Sequence, residues 1–171
     1  MYEVIDTNTS YGYHVTNTNH RRNCYTNWST NQRIKIMKAQ YLPCIIFSVE
    51  SSDLSTPENA MNKRIAENAM TNMGMEFEKL VGVYNGVLET SYLITDMNFL
   101  LTAMGIAKEF NQESVLLRDN ENNCTLKYLS NNELQPIGKL ESIHETEACE
   151  IFIQGGSYTY KPSTKQYFTC R

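Results

Sequence analysis

Long apolar runs, paired cysteines and concentrated positive charge are all missing from this chain of 171 residues. No stretch approaches the roughly 20 apolar residues of a membrane-spanning helix, and the N-terminus lacks the basic-then-apolar order of a secretion signal. The five cysteines (Cys24, Cys44, Cys124, Cys149, Cys170) are odd in number, widely spaced and without a C-x-x-C pair. That argues against a zinc site or a full disulfide framework, and the expectation is reduced thiols, a cytoplasmic setting and no metal. Lys and Arg total 15 against 19 Asp and Glu, and no basic cluster runs beyond "HRR", so the footprint of a nucleic-acid binder is lacking. A cationic small molecule suits this balance better. His14, His20 and His144 are dispersed, "QGGS" at 154–157 lacks a strand-to-helix context, and no G-x-G-x-x-G, nucleophile elbow or Walker pattern is present.

What is present suits one compact domain with a sizeable core. The first 36 residues differ from the rest: six Asn and six Thr, but no Leu, Ala or Phe. The composition changes at Met37. Residues 1–36 are therefore expected to be a flexible N-terminal extension or a translated leader, with residues 37–171 forming a single α+β domain. The tyrosines and Trp28 of the first segment keep open an arm that docks on a neighbouring subunit.

"CIIFSVE" (44–50) has the β-branched, apolar character of a buried strand. In "STPENAMNKRIAENAMTNMG", Thr56 suits an N-cap, Pro57 the first helical position and Gly74 a stop, with Met61, Ile65, Ala66, Ala69, Met70 and Met73 on one face. "FEKLVGVY-NG-VLETSYLITD" predicts a hairpin, because Asn-Gly supplies the positive φ that a two-residue type I′ turn demands. A second helix follows, capped by Asp96, with Phe99, Leu100, Ala103, Met104, Ala107 and Phe110 on one side. "SVLLRD" and "CTLKYLS" read as strands around the polar loop "NENN". "KLESI", "CEIFIQ", "SYTY" and "QYFTC" read as short further strands. The order strand, helix, strand, strand, helix, strand predicts a ferredoxin-like antiparallel sheet with two helices on one face and extra C-terminal strands. Its other face must be solvated, covered by the tail or packed on another subunit.

If Asn85 and Gly86 form the turn, Tyr84 opposes Val87, Gly82 opposes Glu89 and Leu80 opposes Ser91. Side chains alternate, so Tyr84, Gly82, Glu89 and Ser91 share one face, while Val81, Val83, Leu88, Tyr92 and Ile94 share the other, apolar one. Glu89 then points to the face without helices, opposite a residue with no side chain, where a ligand could approach the backbone. A glutamate merely solvated on an exposed strand, with Gly82 in a bulge, fits the same pattern.

The run "GVYNGVLETSYLI", followed by a helix and then "FNQESVLLRDNENNCTLKYL", resembles the bacteriophage S-adenosylmethionine (SAM) lyases, long described as SAM hydrolases. The shared features are Gly82, Tyr84, Glu89, Thr90, Ser91, Gln112, Glu113 and "SVLL"; some bacterial domains of unassigned function resemble the chain too, including an "EN" then Asn in the first helix that matches Glu58, Asn59 and Asn62. The likeness covers roughly residues 44–160 and leaves residues 1–36 outside. It implies a homotrimer similar to PII signalling proteins, with SAM as substrate rather than cofactor, bound between subunits. It also implies cleavage to 5′-methylthioadenosine and homoserine lactone by the substrate's own carboxylate, in a phage counter-defence role. Within that resemblance Glu89 would hold the ammonium or sulfonium, Tyr84 would hydrogen-bond it or wall the site, and Gly82, Ser91, Gln112 and Asn62 would contact substrate. Two other readings stay open: a PII-like nucleotide or SAM binder without turnover, and an interaction protein using its tyrosine-rich arm.

Overall fold

The computed structural model describes residues 42–84 and 87–171. The expected extension at 1–36, the start at Met37 and the Asn85-Gly86 turn lie outside the described residues.

The described residues form eight strands: β1 Cys44–Ser48, β2 Glu78–Tyr84, β3 Val87–Ile94, β4 Ser114–Arg118, β5 Asn123–Tyr128, β6 Leu134–Ile143, β7 Tyr158–Lys161 and β8 Gln166–Cys170. Three α-helices accompany them: α1 Thr56–Asn72, α2 Leu100–Glu109, entered through a 3₁₀ turn at Met97–Phe99, and α3 Glu145–Ile153. All ladders are antiparallel, and the strands close into a barrel in the order β1-β3-β2-β7-β8-β6-β5-β4.

This corrects the ferredoxin-like expectation. The order of elements through β4 is the expected one, but the sheet is not open and the described residues hold three α-helices. β2 and β4, which would have been the free edges, pair with β7 and β5 respectively. The ten-residue β6 then bridges β5 to β8 and closes the ring. Closure removes unpaired edges, which a set of short strands otherwise leaves exposed. Of the three fates left open for the sheet's second face, covering by the tail is the one observed. A further correction concerns "CEIFIQ", which lies in α3: the His144 side chain accepts from the Thr146 N–H and caps that helix, whose first turn holds Glu145 and Glu147.

The larger core lies outside the barrel wall, where Ile45, Phe47, Tyr92, Ile94 and Val115 meet Ala66 and Met70 of α1 and Ala103, Ile106 and Ala107 of α2. Tyr92 is fully buried, with Phe77 edge-on at 5.6 Å and its hydroxyl donating to Glu67 at 2.9 Å. The cap of α1 is Ser55, one residue before the expected Thr56. The Glu58 carboxylate accepts from the Ser55 N–H at 2.8 Å and Oγ at 2.6 Å. Gly74 ends the helix at φ +72°, as its conformational freedom allows. The apolar face of α1 is narrower than expected: Ala66 and Met70 are buried, but Met61, Ile65 and Met73 are exposed.

Candidate functional site

Because strand side chains alternate, the residues between those of the outer core point into the barrel. Ile46, Ser48, Gly82, Glu89 and Ser91 line an interior cavity of about 620 Å³, whose walls also include Leu116, Leu126, Leu140 and Phe168. The hairpin register is the expected one: Tyr84 opposes Val87, Gly82 opposes Glu89 and Leu80 opposes Ser91. Glu89 thus stands in the barrel mouth.

The end of β1 builds the other side of this mouth. Ser48, paired with Ser91 across β1 and β3, is buried; its Oγ donates to the Thr90 carbonyl at 3.0 Å and accepts from the Glu50 N–H at 3.1 Å. The chain then turns so that Val49 enters the outer core and Glu50 faces the site. The Glu50 carboxylate, whose side chain is 14% exposed, pairs with Lys63 Nζ of α1 at 2.5 Å and accepts from the Thr90 N–H at 2.5 Å. Its backbone carbonyl accepts from Gln112 Nε2 at 2.8 Å. Gln112 reaches this point because α2 ends with Asn111 at φ +57° and the Gln112 N–H bonded back to the Ala107 carbonyl at 3.0 Å.

A second cavity, of about 290 Å³, opens between α1 and the hairpin; Asn59, Lys63 and Leu88 are among its walls. Glu50, Ser51, Ser52 and Glu89 line both cavities, so the two adjoin across the pair of glutamates. Burial pushes the Glu89 carboxyl above the ordinary carboxylate range; the Ser48 hydroxyl pulls it down, and the Glu50 charge pushes it up again. Loss of water and the neighbouring Glu50 charge both disfavour the ionised form of Glu89, and a cation between the two carboxylates would offset both.

Five of the six residues singled out from the sequence converge here: Glu89, Gly82, Ser91, Gln112 and, at the exposed rim, Tyr84 all line the interior cavity. Asn62 does not. It lines neither cavity, and its Nδ2 donates to the Val49 carbonyl at 3.3 Å, tying α1 to the end of β1. Sequence reasoning missed Glu50 and Lys63. A lysine four residues after Asn59 on the same helix face, with a glutamate ending the preceding strand, was the only signal. Among the described residues no histidine lines either cavity. Among the described residues no cluster of His, Cys, Asp and Glu is arranged to hold a metal ion, Cys44, Cys124, Cys149 and Cys170 are free thiols, and no helix is long and apolar enough to cross a membrane.

Two carboxylates, Glu50 and Glu89, thus face a cavity of mixed apolar and polar walls that also holds Tyr84, Tyr128 and Tyr158, a set of groups chemically suited to a cationic ligand. Comparison with known proteins finds a match to the family described as the S-adenosylmethionine lyase family over residues 45–171. That span includes every residue of the site. No curated protein matches the chain.

Proposed function

The chain belongs to the S-adenosylmethionine lyase family, and from that membership we propose that it cleaves SAM to 5′-methylthioadenosine and homoserine lactone. The observation that carries the proposal is Glu89: a half-buried carboxylate opposite a glycine, in the mouth of a cavity large enough for a nucleoside. In the reaction one oxygen of the substrate carboxylate attacks the γ-carbon of the methionine part. The carbon–sulfur bond breaks and its electron pair stays on sulfur, so the sulfonium leaves as a neutral thioether. No proton, water or metal is consumed. The protein's share is to fold the substrate so that carboxylate and γ-carbon meet, which converts a floppy chain into a near-attack conformer. Drying the reacting pair adds to this, because the attack neutralises both charges.

Glu89 acts on the positive charge of the substrate and is not the nucleophile. Tyr84 walls the mouth, Gly82 leaves the space beside the carboxylate free, and Ser91 closes that space from below. Gln112 fixes the Glu50 carbonyl and through it the floor of the mouth. The proposal extends to a homotrimer with sites between subunits. Tyr84, Val87 and Leu88, exposed by 59%, 52% and 63% beside the mouth, support it as apolar surface suited to a neighbouring copy. The matching cellular role is phage counter-defence, in which removal of SAM starves methylation and restriction systems.

The test is incubation of the purified protein with SAM and chromatography of the products. Methylthioadenosine with homoserine lactone as the first partner product is the expected result. Homoserine without lactone would replace the lyase reading by hydrolysis. Heat stabilisation by SAM without any product would make the protein a SAM-binding module.

A further inference from the structure

The two adjoining cavities differ in size and in the place of one positive charge, Lys63, which lines the smaller cavity and not the larger; the two ends of the substrate class proposed above differ in size and charge as well. The barrel cavity sets apolar walls, Ile46, Leu116, Leu126 and Phe168 among them, beside uncharged polar ones such as Thr159 and Thr169. The cavity between α1 and the hairpin is less than half that volume and includes Lys63, Glu50, Asn59 and Thr56 in its lining. Glu89 belongs to both.

SAM carries an apolar nucleoside at one end and, at the other, an amino acid with one ammonium and one carboxylate; the sulfonium lies between. Its charges are two positive and one negative. The charges gathered here are the inverse: Glu50 and Glu89 negative, Lys63 positive. Lys63, with three N–H donors, pairs with Glu50 at 2.5 Å and donates to Thr90 Oγ1 at 3.4 Å, and it lines the α1 cavity.

Resting on the SAM reading, we propose that the α1 cavity is the subsite for the amino-acid end and that Lys63 is its specificity-determining residue. Lys63 takes one oxygen of the substrate carboxylate, the ammonium goes to Glu50, and the sulfonium stands against Glu89. The other carboxylate oxygen remains free to face the γ-carbon. Holding one oxygen orients the nucleophile at some cost to its reactivity, so Lys63 is a positioning residue, chosen for specificity. The nucleoside end then extends into the barrel. This placement makes the protein a reader of the complete zwitterion: a sulfonium lacking the carboxylate leaves Lys63 on Glu50 and the ammonium of the ligand without its carboxylate partner.

The experiment uses inert analogues of SAM in which a protonated amine replaces the sulfonium, one with the carboxylate and one without. Binding of both is measured by calorimetry to the full chain and to its Lys63→Met and Lys63→Arg variants. The unmodified protein should prefer the carboxylate-bearing analogue by about tenfold or more, the scale of one charge-assisted hydrogen bond. Lys63→Met should shrink that preference to about twofold or less, through weaker binding of the carboxylate-bearing analogue alone, and Lys63→Arg should restore most of it. An undiminished preference in Lys63→Met, or equal loss for both analogues, overturns the assignment of Lys63 while leaving SAM as ligand. Failure of the unmodified protein to bind either analogue overturns the SAM reading itself.

Discussion

Gly82 stands directly across the β2–β3 ladder from Glu89, and a Cβ built on it would lie 3.1 Å from Ser91 Oγ and 3.5 Å from Glu89 Cγ. The φ of Gly82 is not in the left-handed region, so a side chain there is limited by space and not by the backbone. Gly82→Ala should therefore fold with a small cost, since the Ser91 hydroxyl can rotate away. Gly82→Val should fold too, but fill the gap beside the carboxylate and weaken SAM binding by about tenfold or more. Melting temperature and SAM affinity, measured on both variants, separate the two effects; a valine variant that binds SAM normally would show that the gap is not used.

The raised pKa of the Glu89 carboxyl fixes the sign of a stability prediction. A carboxyl whose pKa is higher in the folded state contributes stability fully at pH below its ordinary value, and that contribution is lost as pH rises through the raised value. Glu89→Gln is uncharged throughout. It should match the unmodified protein in acid and melt at a higher temperature at neutral pH, while losing about 100-fold in turnover of SAM. A lower melting temperature at neutral pH would mean that the carboxylate holds the fold and not the ligand.

The same carboxylate shows how much was legible in advance. The Asn-Gly spacing set the hairpin register, and the register placed Tyr84, Gly82, Glu89 and Ser91 on one face. The barrel was not legible because its closure depends on pairings between distant segments. β6 is mostly exposed and is interrupted by Pro136 and Gly138, and it bridges β5 and β8 across a bulge at Cys124/Thr125. Period-2 patterning says little about such a strand. The short apolar run "CEIFIQ" fits strand and helix equally, and a histidine cap is outside the usual signals. Asn62 shares a helix with Lys63, yet only the fold decides which of the two turns to the cavity and which to the Val49 carbonyl.

Gln112 is expected to act through Glu50. Its Nε2 is 2.8 Å from the Glu50 carbonyl, which follows the segment that carries Ser48 into the mouth. Gln112→Leu should cost about 1 kcal/mol of stability, or a few degrees in melting temperature, and raise the KM for SAM more than it lowers kcat. A collapse of kcat at unchanged KM would instead place the amide against the reacting atoms.

Closure of the barrel is testable with two glycines of opposite expected behaviour. Gly138 lies in β6 at φ +100°, and a Cβ there would overlap the backbone of Arg171. Arg171 extends the β6–β8 seam: its N–H donates to the Lys139 carbonyl at 3.0 Å, and the Lys139 N–H returns a bond to its carbonyl at 2.5 Å. Gly138→Ala strains the backbone and pushes on main chain that cannot rotate aside. It should cost more than about 1 kcal/mol and loosen the seam that walls the interior cavity. Gly105, in α2, has open space around its Cα, so Gly105→Ala should instead gain about 0.5–1 kcal/mol from helix propensity. Hydrogen exchange of the amides of Lys139 and Arg171 reads the seam itself. Protection there should fall in Gly138→Ala and hold in Gly105→Ala, whereas fast exchange of both amides in the unmodified protein would mean that β6 and β8 do not close the ring.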